Sequence, residues 1–159
     1  MEALLIIDVQ EAYVSHLREE KGFLESIATI NQTAELFRKA GKAVICIRHI
    51  AEGDDERFKN IKELNILDSD QEVLKTFNSG FWQTDLEDIL NDLNIKFLVL
   101  AGYAAEFCIS ATFFGAKERA FSPVLLENGI LAKTKEGLLA SKLSRPHINI
   151  LALNHMFNK

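Results

Sequence analysis

Apolar residues in this chain come in short unbroken runs separated by stretches of helical spacing. The runs at 3–7, 43–47, 97–101, 123–126 and 148–153 each have the length of one strand. Between them, Ile27, Ile30, Ala34 and Phe37 form a helical stripe, and Gly41 is a natural residue to end it. A second stripe, Ile109, Thr112, Phe113, Ala116 and Ala120, follows the run at 97–101. Thr84 and Glu87 read as a capping box ahead of Leu86, Ile89, Leu90 and Leu93. Thr134 reads as the cap of a helix carrying Leu138, Leu139 and Leu143, which Pro146 keeps short.

Unbroken runs, as opposed to alternating ones, predict strands buried on both faces. Strands that alternate with amphipathic helices predict βαβ units and a parallel sheet. The expected fold class is therefore α/β: a three-layer α/β/α domain with a mostly parallel, Rossmann-like sheet of five to six strands. A single domain spanning 1–159 is expected, since no repeat, low-complexity tract or linker divides the chain. The segment 51–71 is rich in Asp, Glu, Lys and Asn and poor in periodicity. It reads as a solvated loop or short helices that either shape the mouth of a site or form a plain surface insertion.

Composition narrows the function classes. Apolar residues at 48% and charged residues at 26% are ordinary globular values, and the net charge of −5 argues against nucleic acid as the partner. The longest apolar runs are too short to span a bilayer, so no membrane partner is expected. Met1-Glu2 leads directly into the first strand, which predicts no secretory signal and a cytoplasmic, reducing compartment. Cys46 and Cys108 do not form a CxxC pair and are expected to stay free thiols.

Candidate chemistry gathers at strand ends, where open parallel sheets bind ligands. The first run stops abruptly at Asp8. The run Phe97-Leu98-Val99-Leu100-Ala101 passes through Gly102-Tyr103-Ala104-Ala105-Glu106-Phe107 to Cys108 at the head of a helical stripe. A cysteine there has the helix dipole and free N–H groups nearby, which favour a thiolate. A lone cysteine is more often a small buried apolar residue, and an aspartate at a strand end can simply accept backbone N–H groups. Lys75, ahead of Thr76-Phe77-Asn78-Ser79-Gly80-Phe81-Trp82-Gln83-Thr84, is by itself an ordinary surface cation.

The three segments in this order resemble the isochorismatase-like cysteine hydrolase superfamily over nearly the whole chain. That superfamily includes nicotinamidases, carbamoylsarcosine and ureidoacrylate amidohydrolases, and isochorismatases. The resemblance implies an Asp8-Lys75-Cys108 catalytic triad and an oxyanion site from the N–H groups of Ala104 and Cys108. It also implies a cis peptide at Tyr103–Ala104 and a homo-oligomer, dimer or tetramer. The residue types are consistent: Asp8 takes the thiol proton, Cys108 attacks a carbonyl carbon, and Lys75 balances the charge.

The expected activity is hydrolysis of a C–N bond of a small amide or ureido substrate through a thioester. The alternatives are vinyl-ether hydrolysis with Asp8 as acid, and a catalytically silent binding or scaffold protein. Gln10, His49, Phe81, Trp82 and Tyr103 are the candidate substrate-binding residues. His49 is more often a histidine hydrogen-bonded within a loop, and the aromatics are more often core.

Two departures from the family pattern stand out. Relatives often carry Thr and Asp where this chain has Ala105 and Glu106. The zinc-binding Asp-x-His-x-His of nicotinamidases is replaced by Arg48-His49-Ile50-Ala51-Glu52, and His16, His147 and His155 lie far off in sequence. No metal and no other cofactor are expected.

Overall fold

The computed structural model describes residues 1–158. Its centre is a six-stranded sheet in which every strand pair is parallel. The strands are β1 (Glu2–Ile7), β2 (Ala43–His49), β3 (Gln71–Lys75), β4 (Phe97–Gly102), β5 (Ser122–Ile130) and β6 (His147–Ile148), in the order β3-β2-β1-β4-β5-β6. The helices are α1 (Glu11–Val14), α2 (Phe23–Lys39), α3 (Leu86–Asp92), α4 (Cys108–Glu118), α5 (Lys135–Ser144) and α6 (Ile150–Phe157).

The period of two in β1 divides the molecule into layers. Ala3, Leu5 and Ile7 pack with Leu86 and Leu90 of α3 and Ile109, Phe113 and Ala116 of α4. Leu4 and Ile6 face the other way, against Phe23, Ile27, Ile30, Ala34 and Phe37 of α2 and Leu153 of α6. A strand buried on both sides must be apolar at consecutive positions, which is why its sequence is a run. The expected three-layer α/β/α architecture is the one observed. With Gln71 beginning β3, the expected loop at 51–71 is one as far as Asp70, with a short 3-10 turn at Glu56–Phe58. Arg48 pins it, pairing with Asp54 and Glu72 and donating to the Phe58 carbonyl.

Three local expectations need correction, and one strand was not anticipated. The apolar run at 148–153 is not a strand: β6 is two residues long, and Asn149 then caps α6 by accepting from the Ala152 N–H at 2.9 Å. Strand β3 lies within a stretch that lacked any strand pattern, because an edge strand shows one side to solvent: Val73 and Lys75 are buried, and the other three residues are exposed. Thr84 and Glu87 form no capping box. Thr84 binds the Gly80 carbonyl and the Leu86 N–H, α3 starts at Leu86, and Glu87 pairs with Arg119 at 2.8 Å. Ala120 does not extend the α4 stripe, since it lies past the helix end at a φ of 61°.

Candidate active site

The carboxyl ends of four strands converge on one small volume. Asp8 follows β1 directly, His49 ends β2, and Lys75 ends β3 opposite His49 in register. Cys108 is the first residue of α4, reached from β4 through Gly102 and a cis Tyr103–Ala104 peptide. Gly102 makes that turn at a φ of 110°, and an added Cβ there would overlap the Ile7 carbonyl of the neighbouring strand. Asp8 itself has a φ of 53°, a conformation that Asp tolerates better than most residues, and its N–H is tied to the Ile47 carbonyl.

The Lys75 ammonium organises the site. It is 1% exposed, and Asp8 beside it is 2% exposed. Its Nζ lies 2.9 Å from Asp8 Oδ2, 3.0 Å from His49 Nδ1, 3.1 Å from the Phe77 carbonyl oxygen and 3.4 Å from Cys108 Sγ. The other carboxylate oxygen, Asp8 Oδ1, is buried and has no hydrogen-bond partner among the described residues. The Asn78 Oδ1 lies 3.8 Å from the thiol sulfur.

Burial pushes the Asp8 carboxyl above its usual range, and the positive charge of Lys75 only partly opposes this. Burial first, and the Asp8 charge second, push the Cys108 thiol up to about 12, with Lys75 pulling the other way. Burial and the neighbouring carboxylate thus work against the thiolate that the helix N-terminus favours, and the unpartnered Asp8 Oδ1 is an acceptor for the thiol proton. Burial, then the Lys75 charge, lower the His49 imidazole from its ordinary value, so it is a neutral acceptor at neutral pH.

The N–H groups of Ala104 and Cys108 donate to no protein acceptor among the described residues, whereas the Ala105 N–H between them is tied to the Leu131 carbonyl. Two backbone donors of the turn that carries Cys108 are thus left free. Glu106 holds the same turn from behind, accepting from the N–H groups of Lys133 and Thr134 and from the Thr134 hydroxyl.

Asp8, His49 and Cys108 also present an oxygen, a nitrogen and a sulfur within 4.8 Å of one another, a donor set suited to a thiophilic divalent cation. The Lys75 ammonium already stands within hydrogen-bond distance of all three.

The remaining candidates fall elsewhere. Gln10 does not face the reacting groups: its amide is fully buried and spent on backbone, donating to the His49 and Phe58 carbonyls and accepting from the His49 N–H. Phe81 is core, stacked on Phe121 with ring centroids 5.8 Å apart. Trp82 is exposed, and Tyr103 is half-buried with its ring edge-on to His16. The sequence reading missed three contributors: the Phe77 carbonyl, Asn78, and Tyr13. The ring of Tyr13 meets His49 edge-on, and its buried hydroxyl has no partner among the described residues. Burial first, then the charges of Glu52, Asp8 and Cys108, raise that phenol to about 12. Only Asn78 left a signal, being part of the run after Lys75; a carbonyl leaves none.

An all-parallel α/β sheet with Asp, Lys and Cys brought together at its carboxyl edge defines a class of α/β proteins built around a cysteine. The model of the isochorismatase domain matches residues 2–143, so the chain belongs to the isochorismatase family, a family of hydrolases. It is 32% identical over 138 residues to the uncharacterized isochorismatase family protein YrdC of Bacillus subtilis, covering 82% of this chain and 73% of that protein. Its fold is also that of the N-carbamoylsarcosine amidase from Thermoplasma acidophilum, with a TM-score of 0.77, 19% identity and coverage of 93% and 94% of the two chains. The pyrazinamidase of Pyrococcus horikoshii, solved in complex with zinc, superimposes with a TM-score of 0.78, 21% identity and coverage of 94% and 98%.

Proposed function

We propose that this hydrolase cleaves a C–N bond of a small amide or ureido substrate through a Cys108 thioester, with Asp8 and Lys75 completing a catalytic triad. The observation that carries the reading is the shared ammonium: Lys75 Nζ is 2.9 Å from Asp8 and 3.4 Å from Cys108, while Asp8 Oδ1 is left free to accept a proton.

Asp8 Oδ1 takes the thiol proton as Sγ attacks the carbonyl carbon. A thiol held at about 12 needs a base at the moment of attack, which gives Asp8 its role. The N–H groups of Ala104 and Cys108 stabilise the oxyanion. Asp8 then passes the proton to the departing nitrogen, leaving the thioester. Water attacks the thioester carbonyl with Asp8 as base, and the proton returns to sulfur as the acid leaves. Lys75 keeps net charge near zero throughout, and no step calls on a metal.

A screen of small amides and ureido compounds, read by ammonia release, tests this. The wild type should turn over at least one, Cys108→Ala none, and chelators should leave the rate unchanged. Intact-mass measurement on rapidly quenched reactions should show the acyl adduct on Cys108.

The raised carboxyl of Asp8 favours one second reading, vinyl-ether hydrolysis with Asp8 as proton donor. Turnover of such a substrate with no mass adduct, and with Cys108→Ala still active, would establish it in place of the first.

A further inference from the structure

An ammonium has three protons, and Lys75 is surrounded by four acceptors. The three shorter contacts, at 2.9, 3.0 and 3.1 Å, saturate it, so the Cys108 sulfur at 3.4 Å competes with the His49 ring. Because the ammonium can only donate, His49 Nδ1 must be bare and the ring proton must sit on Nε2.

The His49 ring does not reach this position by chance packing. The Gln10 side chain grips both the N–H and the carbonyl of His49, at 2.8 and 2.9 Å. The parallel register sets residue 49 against residue 75, and the Ile50 N–H closes the ladder on the Lys75 carbonyl at 2.8 Å. Tyr13 of α1 packs edge-on against the imidazole, with ring centroids 5.9 Å apart.

We propose that His49 is a positioning residue: as a neutral acceptor it holds the third proton of Lys75, and when protonated it disables the site. This rests on the reading that Lys75 serves Asp8 and Cys108. On protonation the acceptor becomes a second cation 3.0 Å from the first, and the ammonium loses one of its three anchors. The charged or titratable groups facing the ring are Lys75 from β3, Asp8 after β1, the Tyr13 phenol of α1, Glu52 in the turn after β2, and Cys108 of α4, along with the Phe77 carbonyl. Asp8, the Phe77 carbonyl and Glu52 favour the imidazolium. Burial and Lys75 oppose it and prevail. The protonation that matters therefore occurs below the ordinary histidine range of about 6.5.

The test uses the full chain and no substrate. Nitrogen-15 NMR of the imidazoles should show His49 with its proton on Nε2, with Nδ1 as a hydrogen-bonded acceptor, and with a titration midpoint below 6.5. In parallel, alkylation of Cys108 by iodoacetamide at pH 8 should become faster in His49→Ala by about threefold or more, the equivalent of about half a pKa unit, because the freed proton is offered to the thiolate. His49→Gln, which keeps an acceptor, should stay within about twofold of wild type on the same scale. A proton on Nδ1, a midpoint at or above 6.5, or an unchanged alkylation rate in a folded His49→Ala would each overturn the proposal. The NMR arm needs no variant, so a misfolded substitution does not leave the question open. Neither arm reads hydrolysis: the absence of amide turnover would sink the proposed activity while leaving these results in place, and the reverse also holds.

Discussion

Both cysteines of this chain have thiols raised to about 12, with burial as the leading cause, yet they should react very differently. Cys46 is sealed in β2, whereas Cys108 opens to solvent at the head of α4. Reactivity then depends on access and on the fraction ionised, so alkylation of Cys108 should climb roughly tenfold per pH unit between about 7 and 10. Peptide mapping after brief labelling checks this, with Cys46 expected to stay unmodified in the native protein. A rate that levels off near neutrality would instead reveal a resting thiolate. Lys75 makes a second residue-scale prediction. Lys75→Met leaves a buried carboxylate uncompensated, and breaking such a pair costs about 3–5 kcal/mol. Asp8 is already raised, so its ionisation works against folding, and that penalty is absent below its unfolded value of 3.8. Urea titrations should therefore show a deficit at pH 7 that shrinks toward pH 4. Asp8 and Cys108 were legible in the residues themselves, because an apolar run stops at the first and a glycine turn precedes the second, whereas Lys75 was legible only through the family resemblance. The role of Gln10 was not, since its partners are carbonyls brought together only by folding, and neither was the burial of Phe81, since an aromatic near a motif looks alike in core and in pocket.

Elements were legible wherever both faces or one helical face are buried. β1, β4 and α2 read directly, and so did the Thr134 cap, which accepts from the Gly137 N–H at 2.9 Å. Elements were misread where burial is one-sided or periodicity is short. The run Ile148–Leu153 carries no period long enough to separate strand from helix, and Asn149 decided the matter through its side chain. In β3 Gln71, Glu72 and Leu74 face solvent from an edge strand while Val73 and Lys75 are buried, so neither the polar nor the apolar residues keep to one side. Glu106 ties the turn that carries Cys108 to the first turn of α5, a link across more than twenty residues that sequence spacing does not reveal. Glu106→Ala strips an acceptor from two backbone donors and a hydroxyl, and should cost about 1–3 kcal/mol. Hydrogen exchange should show the loss concentrated in the amides of 133–138, with the α2 amides unchanged. Uniform loss across the chain would mean that Glu106 supports the fold as a whole and not this junction.

At the scale of the whole molecule, the sheet order β3-β2-β1-β4-β5-β6 places the reversal of strand order beside β1, where open α/β sheets form their crevices. Among the described residues no helix is long and apolar enough to cross a membrane. Charge pairing sets the pH response. Hydrogen bonds from Arg18 lower Glu11 and Glu63, and hydrogen bonds from Arg57 lower Asp55. At Glu106 burial raises the carboxyl but is outweighed by the N–H groups of Lys133, Glu106 and Thr134 together with the Thr134 hydroxyl. Groups depressed in the folded state stabilise it fully above their unfolded values and lose that contribution as pH falls through the folded ones. His49, also depressed, adds the same sign below 6.5. From these depressed groups thermal midpoints should hold steady above about pH 6.5, decline slightly down to about 4.5 and fall further below it, while the raised Asp8 contributes with the opposite sign. A midpoint that rises on acidification would contradict this balance.

Gly102 and Gly41 both sit at positive φ, 110° and 65°, yet they differ in what surrounds them. Around Gly41 an added Cβ would have nothing within 4 Å, whereas at Gly102 it would collide with the Ile7 backbone. The first restriction is a preference that Asn satisfies nearly as well, and the second is an exclusion that no side chain escapes. In a saturation library selected for folded protein, position 41 should keep Asn and Asp among its survivors, and position 102 should return glycine alone. The same strand-to-strand closeness that aims Cys108 leaves one codon family available at the pivot, so genetic drift can reshape the rim of this site but not the turn on which it hangs.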